Sequence, residues 1–254
     1  MEHARWIGFG AFFVASLVIG GRLLLLARRT GQIPEFLIGV AALGLGPFGY
    51  GLSMLAFALA SHSLALSATL MGSALLAMQV GAIALYLFVW TVFRRDSRWA
   101  KAVIWTATAL LIAGFAGDLV ENGLVNRRAG GFWFWLGSLT RASVLGWSAF
   151  ESLRYHRVVR HRARLGLADP VVAASFLLWG VGSGAACSGA LVGHVTRILT
   201  GHGAAEFPLV SLVVSLLGLV AAVSIWLAFL PTPSYLRFVE SRGRRAGALP
   251  STPG

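Results

Sequence analysis

The sequence predicts an all-α fold: a polytopic integral membrane bundle of seven transmembrane helices, N-terminus outside and C-terminus cytoplasmic, with a short amphipathic stub after helix 7. Three observations carry this expectation. The 254-residue chain is 57% hydrophobic and only 12% charged, where a soluble domain carries about 25% charged residues. Its apolar residues gather into long runs joined by short polar links, and its arginines favour alternate links. With a mean hydropathy of +0.77, the natural solvent for such a chain is the bilayer.

The runs cover residues 6–27, 36–60, 67–93, 101–121, 132–153, 171–198 and 208–230. Each is long enough to cross about 30 Å as a helix. None alternates with period two, as barrel strands do, and helices are the remaining way to satisfy every backbone group in lipid. The first run ends in Arg28 and Arg29 rather than at a small-residue cleavage site, so it reads as a span and not as a signal peptide.

Orientation follows from the basic residues. The links after runs 1, 3 and 5 and the C-terminal tail hold most of the 21 Lys and Arg residues, whereas the other side has Arg5, Arg127, Arg128 and Arg197. The side rich in arginine is the cytoplasmic one. Trp6, Trp133 and Trp135 mark the outer interface and Trp90, Trp99 and Trp226 the inner one. The localisation expected is the cell (inner or plasma) membrane, with multiple passes.

Taken in order, run 1 carries Arg22, which has Glu35 and Glu151 as candidate partners but is expected to snorkel to the inner interface. Run 2 holds a glycine-rich stretch, 44–51, around Pro47. The missing N–H of Pro47 should kink or break the helix near midplane, leaving Tyr50 and Ser53 to line the gap. Run 3 places Gln79 at its centre, a side chain suited to interhelical hydrogen bonding.

Run 4 carries the acid in lipid that calls for a reason, Asp118. It lies about 24 Å along the helix, with Glu121 one turn further out on the same face. Gly114 and Gly117 lie near that face and permit close approach of a neighbour. Run 5 descends from Trp133 and sets Arg141 about 12 Å below the outer boundary, with Ser138 nearby. Its short connection to run 4 makes the two helices neighbours and Asp118–Arg141 the expected pair. The alternative role for such a pair is to fix helix register.

The charged link 154–169 is expected to extend run 5 as a helix before Asp169 and Pro170 start run 6. Run 6 contains two GxxxG pairs, Gly180 with Gly184 and Gly189 with Gly193, whose default use is helix packing and which also suit contact between copies of the chain. Ser183, Cys187, Ala190, His194 and Arg197 form one stripe leading towards the outer face. After run 7, residues 231–245 are expected to form a juxtamembrane amphipathic helix capped by Ser234. Residues 246–254 are expected to be a disordered tail.

Several function classes fail on residue grounds. The net charge of +12 lies in links between apolar runs, not on a polar face, so no nucleic-acid partner is expected. A retinal protein needs a buried lysine in the last span, and Lys101 is the only lysine. The histidines are scattered, which disfavours a metal or haem centre. Ser188 and His194 point to different sides of one helix, which disfavours a serine protease. Cys187, alone, excludes an intrachain disulfide. No catalytic residue, cofactor or metal is assigned.

The leading expectation is a sensor or receptor-like protein with an outward-facing polar site between helices 4, 5 and 6. Its candidate residues are Asp118, Glu121, Arg141, His194, Arg197, Ser138, Gln79 and Tyr50. Its partners would be the lipid bilayer, a small ligand, and a cytoplasmic partner at the arginine-rich loops. The topology is similar to that of seven-helix receptors in architecture, without a family motif. The alternatives are a small-solute transporter with a 3+1+3 arrangement and glycine-broken helices 2 and 6, or a non-catalytic subunit of a membrane complex.

Overall fold

The computed structural model describes residues 2–122 and 131–247. The helices are, in chain order, α1 (Glu2–Thr30), α2 (Ile33–Leu59), α3 (Leu64–Phe93), α4 (Arg98–Asn122), α5 (Phe132–Arg164), α6 (Pro170–Thr200), α7 (Pro208–Phe229) and α8 (Pro233–Gly247). A short 3-10 turn, Ala204–Glu206, precedes α7, and no strand occurs among the described residues.

Six helices, α1, α2, α3, α4, α6 and α7, are long and apolar enough to cross a membrane. The chain is a multi-pass helical membrane protein. At 33 residues α5 is the longest helix, but it is too polar to join those six by composition. Burial explains the polarity. Ser138, Thr140, Ser148, Glu151 and Ser152 of α5 are all buried, so they meet protein, and a helix enclosed by others needs little apolar surface.

Successive helices pack as neighbours from α1 to α3 and from α5 to α7, and α1 also meets α7. Because α3 touches α5 directly, α1, α2, α3, α5, α6 and α7 close a ring. Helix α4 lies against α3 and α5 at its edge. One end of the bundle carries the α2–α3 and α6–α7 connections, the last turn of α4 and the first turn of α5; α8 lies at the other end, against α5 and α6. Towards the α8 end the interior is filled by an edge-to-face series of rings, Phe88 on Trp179 at 5.9 Å and Trp179 on Phe229 at 5.2 Å.

Helix α2 is interrupted where the sequence predicts. Gly46–Gly51 winds wide, in π form, around Pro47, because the proline lacks an N–H and its ring displaces the preceding turn. Just before it, α2 and α3 touch backbone to backbone. A methyl group on Gly44 would lie 2.7 Å from the Ala77 carbonyl oxygen and 2.8 Å from Gly81 Cα. By contrast α6 is an unbroken helix over 31 residues. Its glycines do not interrupt it, since each backbone hydrogen bond is made within the helix whatever the side chain.

Helix α5 runs on to Arg164. The Asp169 carboxylate then caps α6, accepting from Val171 N at 2.8 Å, and His156 Nδ1 donates to the Ala173 carbonyl at 2.7 Å, tying the two helices together. The cap of α8 is Thr232, whose hydroxyl oxygen accepts from Tyr235 N at 3.3 Å, and not Ser234, which already lies within the helix. Of the expected tail at 246–254, residues 246 and 247 are helical and 248–254 lie outside the described residues. The connection 123–130, with Arg127 and Arg128, also lies outside them.

Candidate functional site

Helices α4 and α5 cross with their backbones in contact. A methyl group on Gly114 would stand 2.9 Å from Gly137 N and 3.0 Å from Gly137 Cα, and one on Gly117 would enter the Trp133 ring. Only hydrogen fits at Gly114, which sets the depth at which the two helices meet. Asp118 lies one turn beyond Gly114, and Arg141 one turn beyond Gly137. Both line a cavity of about 10 Å³ together with Gln79 of α3, roughly the room one water needs.

Asp118 is 4% exposed and Gln79 6%. The Arg141 guanidinium lies across Gly137: a methyl group there would be 3.3 Å from Arg141 Nη1 and 3.6 Å from Gln79 Nε2. Gln79 Oε1 is buried without a hydrogen-bond partner among the described residues. An acceptor left bare in this way carries a desolvation cost of about 1–3 kcal/mol. Three helices therefore bring an acid, a cation and an amide to one enclosed spot.

Beside this cavity α5 meets α6. Ser138 Oγ and His194 Nε2 are 2.8 Å apart, and the His194 ring stands edge-on to Trp135 at 5.5 Å. The Arg197 guanidinium lies 4.8 Å from the centre of the Phe134 ring, a cation–π contact, and its Nε is buried without a partner among the described residues. Phe134 also lines the cavity. Tyr50 belongs to the π segment of α2, is 48% exposed and stands edge-on to Phe12.

Glu121 lies elsewhere. It is exposed, and its carboxylate sits beside Gly131, where a methyl group would be 2.8 Å from both oxygens. That is the start of α5, where the helix dipole favours an anion.

The stripe on α6 faces α5 along its length. Ser183 Oγ lies 3.3 Å from Ser148 Oγ, Cys187 Sγ lies 3.6 Å from the Ala142 carbonyl, and His194 meets Ser138. The glycines are unequal. A methyl on Gly180 would meet Leu153 at 2.7 Å; on Gly184 or Gly189 it would make ordinary contacts at 3.7 Å; on Gly193 it would meet nothing within 4 Å. Gly182, outside both GxxxG pairs, is tighter than three of them, 2.9 Å from Ile225 Cγ1.

A second polar group lies towards the α8 end, and sequence reasoning missed it. Arg94 Nε donates to Glu151 Oε1 at 2.8 Å, with Glu151 only 4% exposed. Trp147 Nε1 donates to the same oxygen at 3.4 Å. The signal was present: Glu151 is the one acid in run 5, and Arg94 begins the link after run 3. Read for orientation alone, the link arginine gives no hint of a buried partner. Arg22 is exposed, and Glu35 accepts from the Thr30 hydroxyl at 2.5 Å.

No protein-family model, curated protein or solved structure matches this chain. Among the described residues no group of three or more His, Cys, Asp and Glu could hold a metal ion. The chemistry must be read from the polar cluster itself.

Proposed function

We propose that this protein is a seven-helix, receptor-like sensor of a small acidic ligand, with α5 as the seventh span, the α4–α5 end outside and the α8 end cytoplasmic. The observation that carries the reading is the gathering of Arg141, His194 and Arg197 on adjoining faces of α5 and α6, with Asp118 the buried acid that shares a cavity with Arg141. Two permanent cations against one buried carboxylate leave an excess that favours an anion, and a guanidinium grips a carboxylate in bidentate fashion.

Closure of the opposite half supports sensing over transport. The Phe88, Trp179 and Phe229 rings pack against one another in the interior towards the α8 end, so among the described residues aromatic packing lies below the polar cluster on that side. Helix α5 supplies the output. It runs unbroken from Arg141 to Arg164, about 35 Å, so a tilt imposed at the cluster moves the exposed Arg157, Arg160 and Arg164, where a cytoplasmic partner would dock.

A transporter is the second reading, favoured by the π segment in α2, since interrupted helices form many transport sites. The continuity of α6 removes the matching break in the other half. A homo-oligomer or complex subunit would use the open face at Gly193.

The test is thermal unfolding of the purified protein with a panel of mono- and dicarboxylates. At least one acid should raise the transition in the wild type, and Arg141→Gln and Arg197→Gln should each abolish that rise. A panel that stabilises all three proteins equally would refute the site. Uptake of the stabilising acid into proteoliposomes would favour the transporter.

A further inference from the structure

We infer that a lateral groove between α4 and α5, at the α8 end, binds an anionic phospholipid, with the acyl chain in the groove and the phosphate at its arginine-rich mouth. This site is separate from the polar cluster and does not depend on the sensor reading.

The groove has a volume of about 280 Å³, just under the ~300–1,000 Å³ usual for sites that enclose a whole small molecule. A stretch of acyl chain fits such a space. Tyr86 forms the floor and is 3% exposed, while Trp99, Val103 and Phe150 form the rim at 51%, 38% and 62%. The groove therefore opens sideways from the bundle, between α4 and α5. In a bilayer that side faces lipid.

The polar atoms of the floor are already satisfied within the protein. The Tyr86 hydroxyl lies 2.6 Å from Ser143 Oγ and donates to the Thr140 carbonyl at 2.9 Å. Nothing deep in the groove asks for a hydrogen-bonding ligand, so the occupant there is hydrocarbon.

The mouth has the opposite character. Glu151 Oε1 accepts from Arg94 at 2.8 Å, and Glu151 Oε2 lies 4.0 Å from the exposed Arg154. One carboxylate thus faces two guanidiniums. The adjoining link adds Arg95 and Arg98 against Asp96. The surplus is positive, and Arg94 is held against the Trp99 ring at 5.5 Å. An apolar slot with a cationic mouth near the end of the spans complements a phosphodiester with its chains, since juxtamembrane arginines attract anionic lipid.

The experiment reconstitutes the full chain in nanodiscs of phosphatidylglycerol or of phosphatidylcholine and counts retained lipid by native mass spectrometry. Wild type should retain phosphatidylglycerol in preference to phosphatidylcholine. Arg154→Gln, which spares the Arg94–Glu151 pair, should weaken that retention about fivefold, the effect of one surface arginine. Val103→Trp should fill the groove and remove retention, with Val103→Phe intermediate; the latter carries the test if the tryptophan variant misfolds. Unchanged retention in Arg154→Gln, or retention by the groove-filled variants equal to wild type, would overturn the inference.

Discussion

Ser138 Oγ lies 2.8 Å from His194 Nε2, joining α5 to α6 across the middle of the polar cluster. The contact fixes the rotation of α6, because Ser183 and Cys187 on the same stripe also reach α5. It also holds the His194 ring against Trp135.

Removing that bond should have a modest and non-additive effect. Interhelical hydrogen bonds in membranes contribute about 0.6 kcal/mol on average. Ser138→Ala and His194→Phe, the latter keeping the ring against Trp135, are each expected to destabilise by about that much. The double variant should lose less than the sum, as read from reversible unfolding in detergent.

At the α4–α5 crossing, Gly114→Ala forces a methyl group to within 3 Å of the Gly137 backbone. A cost of about 1–3 kcal/mol is expected, as for other overpacked sites. Gly193→Ala is the control. With nothing within 4 Å, it should be neutral or stabilising by up to about 1 kcal/mol through helix propensity. Equal effects in thermal unfolding would count against the crossing.

Asp118→Asn and Arg141→Gln should each destabilise the solubilised protein, while the double variant loses less than the two together. Strict additivity would mean the two groups act independently despite sharing a cavity.

Glu151→Gln should be more damaging than any surface charge change. It leaves Arg94 facing a neutral amide in a largely buried position, and breaking a buried pair costs about 3–5 kcal/mol. Because Arg94 is 23% exposed on its side chain, the lower end of that range is expected. The paired change Arg94→Gln with Glu151→Gln should recover part of the loss in the same unfolding assay.

With α5 as a seventh crossing, the two chain ends lie on opposite sides of the membrane. Alkaline phosphatase fused after Gly254 should be inactive, because it folds only outside the cytoplasm. Activity there would reverse the proposed orientation.

Much of the helical framework was legible in the residues. The apolar runs match helices because a backbone in lipid has to close its hydrogen bonds within each span. The interruption of α2 at Pro47 follows from one missing N–H. The extension of α5 to Arg164 and the Asp169 cap followed from local chemistry as well. The polar cluster was legible as a set of suspects, since a carboxylate and two arginines in or beside apolar runs invite a search for partners.

Composition and spacing along one chain establish periodicity, depth and the identity of every polar group that has to be satisfied. They do not establish the rotation of one helix against another, and that rotation decides partners. Three-dimensional packing alone put Glu151 against Arg94 rather than Arg22, took Glu121 to the start of α5, and selected Gly114, Gly180 and Gly182 over Gly193 as points of close approach. The reason is physical: a contact depends on which faces of two helices meet, and that is settled by the fit of many side chains at once.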